Sequence, residues 1–193
     1  MAGMIRLREF VQAMQALAEA HADERRWLGE GRELLARLVQ HDDWLPEEFA
    51  AAGPTYRQNL LYCDPAERFS VVSFVWGPGQ RTPIHNHTVW GLVGMLRGEE
   101  ISTEMILAPP GAARAGRVDH LRAGEVVAVG PSLSDVHKVE NALADRPSIS
   151  IHAYGGNIGA IARQVFDAAT SAPRTFVSGY SNRVLPNLWG ESA

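Results

Sequence analysis

Cysteine is almost missing: Cys63 is the only one in 193 residues. An intrachain disulfide is therefore excluded, and a reducing compartment suits the chain. Runs of basic residues are missing too. Eighteen Lys and Arg against 22 Asp and Glu leave a formal net charge of −4, which argues against a surface for nucleic acid or anionic membrane. No apolar stretch approaches the ~18 residues of a membrane span. The opening "MAGMIRLREFVQAMQ" breaks its apolar residues with charges, so no secretory signal is expected and the expected location is cytoplasmic. Proline is absent before Pro46. That absence leaves the first part of the chain free to be helical.

What is present divides the chain in two. Within residues 1–52, Leu7, Phe10, Val11, Met14, Leu17 and Ala18 recur at helical spacing, as do Leu34, Leu35, Leu38 and Val39. "DDWLPEEF" predicts a short third helix with Asp43 as its cap. From residue 53 the pattern is β: "RQNLLYCD", "FSVVSFVWG", "VWGLVGMLRG", "EISTEMILA", "DHLRAGEVVAVG", "DVHKVEN" and "SISIHAYGG" are short, rich in Val, Ile and aromatics, and bounded by turn residues. Strands at this spacing predict an antiparallel sandwich or barrel. The expectation is a mainly β, single domain over 1–193, with helices packed outside a barrel that ends in a loop-rich C-terminal extension. "APPGAARAGR" (108–117) reads as a mobile loop.

Seven histidines carry the chemistry. His21 and His41 lie among charged residues and His120 beside a turn, so all three read as surface. His85 and His87, in "TPIHNHTVWG", stand at i and i+2 at the mouth of an apolar run. On a strand they share a face, and two neutral imidazoles on one face suit a metal ion. His137, in "SDVHKVEN", alternates with Lys138, so it faces inward with Val139. In "SISIHAYGG", Ser150, His152 and Tyr154 share one face and Ile149, Ile151 and Ala153 the other. The polar stripe fits either a solvent face or a site.

The segment Gly79–Gly98, with His85, His87 and Gly91, and the segment His137–Asn141 resemble the two signature motifs of the cupin jelly-roll superfamily. Gly91 stands where the first motif usually has a glutamate ligand, and the second motif matches only at its end. A cupin with three histidines and no glutamate is similar to the thiol dioxygenases, cysteine dioxygenase and its bacterial 3-mercaptopropionate-oxidising relatives, over most of residues 54–165. The resemblance implies a cupin jelly-roll barrel with Fe(II) held by His85, His87 and His137. On ligand type alone zinc would serve as well. It also implies a hydrogen-bonded series Ser150–His152–Tyr154 beside the metal, with Tyr154 a free phenol because Gly91 replaces the cysteine that the animal-type enzymes join to it.

In those animal-type enzymes an arginine takes the substrate carboxylate. Gln58, in "YRQNLL", fills that place here, as it does in the 3-mercaptopropionate type. Arg163 is the carboxylate candidate, with Arg57, Arg81 and Arg174 as alternatives. The implied reaction joins a small thiol carboxylate, 3-mercaptopropionate ahead of L-cysteine, and O2 to give a sulfinate, with no nucleic-acid or membrane partner. A non-catalytic metal-binding cupin and a cupin isomerase or decarboxylase are the rival readings. The first leaves the Ser150 series without a task, and the second usually keeps the glutamate absent at Gly91.

Overall fold

The computed structural model describes residues 3–133 and 135–190. Helix α1 (Gly3–Glu19) runs alone. A second helical stretch follows as α2 (Glu24–Arg26), a π-helical turn (Trp27–Gly31) and α3 (Arg32–Val39). Asp23 begins it by accepting from the Arg26 amide (2.9 Å), one of the donors that a helix start leaves unpaired. Asp43 caps nothing; it accepts from Arg6 Nε at 3.0 Å. The expected third helix is a single 3-10 turn, Glu47–Phe49, which follows Pro46. The fixed φ of proline and its missing N–H suffice to open such a turn.

The strands are β1 (Arg57–Cys63), β2 (Ser70–Trp76), β3 (Ile84–His85), β4 (Gly91–Arg97), β5 (Glu99–Ala108), β6 (Gly111–Arg122), β7 (Val126–Val129), β8 (His137–Asn141), β9 (Ser148–Tyr154), β10 (Arg163–Phe166) and β11 (Pro173–Phe176). They pair antiparallel in two sheets, β1-β2-β9-β4-β7 and β11-β10-β3-β8-β5-β6. This is the cupin double-stranded β-helix, mostly strands with a few N-terminal helices outside it. The segment 108–117 is not a loop. It forms the hairpin end of β5 and β6, where Met105 pairs Ala115 and Ile106 pairs Arg114. Its Ala- and Gly-rich composition hid the strand, because β6 is an exposed edge strand that needs no apolar alternation.

The helices dock on the outer face of the five-stranded sheet. Leu7, Phe10, Val11, Met14, Leu35, Leu38 and Val39 pack with Val71, Val75, Leu92, Leu96, Ile149, Ile151 and Ala153 in one core. A Cβ at Gly94 would lie 2.9 Å from Val39 Cγ1 and 3.0 Å from Leu35 Cγ, so glycine lets α3 settle directly on β4. Strands β2 and β9 are buried along their whole length. Their alternate residues, Val72, Phe74, Trp76, Ser150, His152 and Tyr154, point the other way, between the sheets. The polar stripe of β9 is thus an interior face, not a solvent face.

Beyond β11 the chain turns back along the free edge of β1. Gln58 N donates to Ser181 Oγ (2.9 Å) and Ser181 N to Gln58 O (2.7 Å), while Asn182 bridges both backbone groups of Leu60. The segment thereby takes the place of a further strand on an otherwise unpaired edge.

Candidate metal centre

His85 and His137 are directly opposed across β3 and β8. His87 lies beyond the end of β3, so the shared strand face expected for His85 and His87 is not what joins them. Asp135 does. Its carboxylate accepts from the backbone N–H of His87 (3.1 Å), that of Thr88 (3.2 Å) and Nδ1–H of the His87 ring (2.9 Å), tying a tight turn in which Thr88 has φ +63°. The three rings stand 4.8–5.0 Å apart, centroid to centroid, with one ring nitrogen from each within 4.8 Å of the others.

Hydrogen bonds fix which nitrogen faces inward. His85 Nδ1–H donates to the Pro83 carbonyl (3.1 Å), which can only accept. Asp135 likewise holds His87 in the Nδ1–H form, and Ser102 Oγ lies 2.9 Å from His137 Nδ1. Nε2 of each ring is left for a metal, and that of His137 is buried with no partner. Such an orphaned acceptor is costly unless something binds it, and outer partners of this kind are how proteins orient imidazole ligands. The rings are neutral. Burial, and then the charges of its two neighbours, hold His85 well below the usual histidine range. Burial followed by His87 and His152 does the same for His137. Burial also lowers His87 despite Asp135, so their contact is a hydrogen bond of a neutral ring and not an ion pair. Burial pushes the Asp135 carboxyl up, but His87 and the backbone N–H of Thr88 together outweigh it and leave it below the ordinary value. Three neutral imidazoles would leave a divalent ion its full charge. The donor set fits a divalent iron or zinc ion.

Beside the histidines the structure brings Ser150, His152 and Tyr154 together in series. Ser150 Oγ is 2.8 Å from His152 Nε2, and His152 Nδ1 is 2.7 Å from the Tyr154 hydroxyl. The Tyr154 ring stacks on His87 at 5.6 Å. Burial pushes the phenol above its usual range, with Arg163 opposing. A Cβ at Gly91 would fall 2.9 Å from Tyr154 Cδ1 and Cε1, so glycine leaves the ring room. A cavity of about 320 Å³ opens over these groups, lined also by Phe74, Trp76, Glu100, Glu104, Arg117 and Asp119.

Arg163 and Gln58 do not line that cavity, but the structure joins them to each other. Arg163 Nη2 donates to Ser178 Oγ (2.8 Å), and Gln58 Nε2 donates to the same hydroxyl (3.3 Å) and to Gly179 O (3.2 Å). The Arg163 guanidinium sits 4.7 Å over the Phe176 ring, is 5% exposed, and has an Nε–H without a partner. Burial lowers its pKa, yet its charge still acts on Tyr154, Tyr56, His85 and His87. No carboxylate forms an ion pair with it among the described residues. The alternatives are placed differently: Arg57 donates to Ala51 O, and Arg81 and Arg174 are exposed.

His21, His41 and His120 are exposed, as expected, and His120 meets Glu99 at 2.8 Å. The sequence did not single out Asp135, Ser102 or Glu100. For Asp135 a signal existed, since an acidic residue two before His137 could have been weighed as an outer partner. Ser102 and Glu100 depend on pairing across β5 and β8 and carry no local signal.

Among solved structures, the chain is similar to a protein with a double-stranded β-helix domain from Klebsiella pneumoniae. Identity is 21%, the match covers 57% of this chain and 87% of that one, and the TM-score is 0.46. It is also similar to a cupin 2 domain-containing protein from Halorhodospira halophila (18% identity, 66% and 74% covered, TM-score 0.42). A family model described as cysteine dioxygenase type I matches residues 40–166, a span that holds all three histidines, the Ser150 series and Arg163. The chain belongs to the cysteine dioxygenase type I family.

Proposed function

We propose that the protein is an iron(II) thiol dioxygenase that prefers 3-mercaptopropionate and converts its thiol to a sulfinate. Both atoms of O2 end on sulfur, and the four electrons come from sulfur itself. The observation that carries this reading is the trio of neutral imidazoles, each with Nδ1 engaged, sharing one cavity with the Tyr154 phenol. His85, His87 and His137 would hold the iron, which when bound supplies the redox chemistry that joins dioxygen to sulfur.

The other residues position and exclude. Ser150 orients His152, and His152 fixes the Tyr154 hydroxyl at the cavity wall, where it reaches the reacting groups. Phe74 and Trp76 stack at 5.4 Å, and Phe74 lies 4.5 Å from the His152 ring, which keeps water from the relay. Arg163 does not line the cavity, but it offers a buried positive charge without a carboxylate partner among the described residues, toward which the substrate carboxylate would reach. Gln58 supports it through Ser178, as the second contact of that hydroxyl.

Gln58 also sets the preference. It carries no charge and cannot form the bidentate pair that arginine makes with a carboxylate. The carboxylate is then left to Arg163, and an α-ammonium gains no partner from either residue. A desolvated ammonium without a partner costs affinity. Oxygen uptake with a panel of thiol acids should show kcat/KM for 3-mercaptopropionate above that for L-cysteine by about tenfold or more. Equal efficiency, or a preference for L-cysteine, would sink the substrate assignment.

Tyr154→Phe should keep its metal and slow turnover. Loss of one hydrogen bond to a charged group is worth about 1.5–3 kcal/mol, or roughly ten- to hundredfold in rate. The wild-type intact mass should show no loss of two hydrogens. Gly91 offers no sulfur, and Cys63 lies two strands from Tyr154, through Ser70. At about 4.8 Å per strand that gap is too wide for a thioether. A two-hydrogen deficit on a peptide pair carrying Cys63 and Tyr154 would overturn the free phenol.

A further inference from the structure

A buried carboxyl stands at the far end of the Ser150 series, and no described residue pairs an opposite charge with it. Glu100, on β5, is 2% exposed; Ser148 Oγ donates to it at 3.4 Å, and the Ser150 hydroxyl joins Ser148 in opposing the rise that burial imposes on its carboxyl. Leu121 and Asn141 flank it on the neighbouring strands. A leucine or glutamine there would avoid the cost of burying an acid. A group that costs stability and lines the reaction cavity calls for a task.

The proposed reaction leaves one proton unaccounted for. A thiol acid arrives as RSH, whereas a sulfinic acid is far stronger and leaves as the anion, so RSH + O2 gives RSO2− + H+. Resting on the dioxygenase reading, we propose that Glu100 is the terminal proton acceptor of a hydrogen-bonded chain, Glu100–Ser150–His152–Tyr154, that takes up the thiol proton.

Along Ser150, His152 and Tyr154 the transfer needs no heavy atom to move, and the Ser150 hydroxyl turning to Glu100 completes it. While Glu100 is ionised, the Ser150 hydroxyl donates to it, His152 Nε2–H donates to Ser150 Oγ, and the Tyr154 hydroxyl donates to His152 Nδ1. The phenol oxygen is then free to accept a proton from the cavity. Once a proton enters at Tyr154, every bond reverses. Glu100 becomes the donor to Ser150, His152 carries its proton on Nδ1, and the phenol O–H points into the cavity. Trp76 Nε1–H donates to Ser150 Oγ at 3.4 Å, and a hydroxyl oxygen with two lone pairs accommodates that donor in both states. The separations of 2.8 and 2.7 Å along the series suit either direction.

Burial pushes the Glu100 carboxyl up to about 8, with Ser150 and Ser148 opposing, which places its proton uptake near neutral pH. The titratable groups facing it are His152 and Tyr154 from β9, His137 from β8, His85 and His87 near β3, Glu104 from β5 itself, and Arg117 and Asp119 from β6. The strands that complete the cavity, β2, β4 and β7, contribute Phe74, Trp76, Val93, Val127, Ala128 and Val129, none of them charged. Glu100 lines the same cavity, so the accepted proton can return to solvent by the route that product takes.

The test needs a readout that does not depend on iron. In metal-free wild type, nitrogen-15 NMR should show His152 protonated on Nδ1 below pH about 8 and on Nε2 above it. In Glu100→Gln, whose amide can only donate to Ser150 as the neutral acid does, His152 should stay in the Nδ1–H form throughout. In the iron-loaded enzyme, kcat should rise with pH through about 8 in the wild type. Glu100→Gln should lose that limb and fall by about tenfold or more, with metal content unchanged, and Glu100→Asp should restore part of it. A Glu100→Gln variant with wild-type rate and pH profile, or a wild-type His152 that never changes tautomer, overturns the proposal alone. A wild type inert toward every thiol acid overturns the dioxygenase reading first, and the acceptor's task with it.

Discussion

His137→Ala should leave the protein folded and nearly without iron, with thiol oxidation down by a hundredfold or more. Loss of a partner that merely orients a ligand costs roughly 10–100-fold in metal affinity, and His137 is one of the three proposed donors. Asp135→Asn, which touches His87 and not the metal, should fall inside that range. His85→Ala and His87→Ala should match His137→Ala, and His120→Ala should keep both metal and activity, being exposed and held to Glu99. Metal analysis after gel filtration, with circular dichroism to confirm folding, decides the matter. Full iron occupancy in His137→Ala would remove His137 from the ligand set.

Arg163→Ala should be almost as damaging, and by a different route. The guanidinium is desolvated and meets no carboxylate among the described residues, so under the proposed function a substrate carboxylate is the partner left to it. Truncating one member of a buried charge pair costs about 2–5 kcal/mol, hence roughly a thirtyfold or larger loss of kcat/KM, carried mainly by KM. Arg117 is the control. It lines the cavity, which Arg163 does not, but its side chain is 74% exposed and pairs with Asp119 at 2.9 Å. Exposed pairs contribute about 0–1 kcal/mol, so Arg117→Ala should change KM by less than about fivefold. If Arg117→Ala raised KM and Arg163→Ala did not, the carboxylate would have to be moved to the cavity mouth.

Those two residues also show what was legible in the chain. That Ser150, His152 and Tyr154 share one face of β9 could be read because strand alternation is a property of consecutive residues; that this face is the inward one came only through the family resemblance. His137 was legible for the same reason, and Arg163 only through the family resemblance. Asp135 and Ser102 act on His87 and His137 from 48 and 35 residues away. Only sheet pairing or a turn brings such groups together, and no spacing rule records it. The shared face assumed for His85 and His87 failed on similar grounds. The strand stops at His85, and a carboxylate from elsewhere bends the chain so that His87 still arrives. Glu100 was invisible because a glutamate in "RGEEIS" looks like any solvated acid until the strands on either side cover it.

The division of β9 between two neighbourhoods has a consequence for how this protein can change. Ile149, Ile151 and Ala153 are spoken for by the helices, while Ser150, His152 and Tyr154 answer only to the chamber. On β2 the odd-numbered positions Val71 and Val75 belong to the helical side, and Val72, Phe74 and Trp76 to the interior. Position parity therefore separates what keeps the scaffold standing from what decides its reactivity. A library confined to the even positions of β2 and β9 should yield folded proteins of altered chemistry, whereas the same diversity at the odd positions should yield mostly collapse.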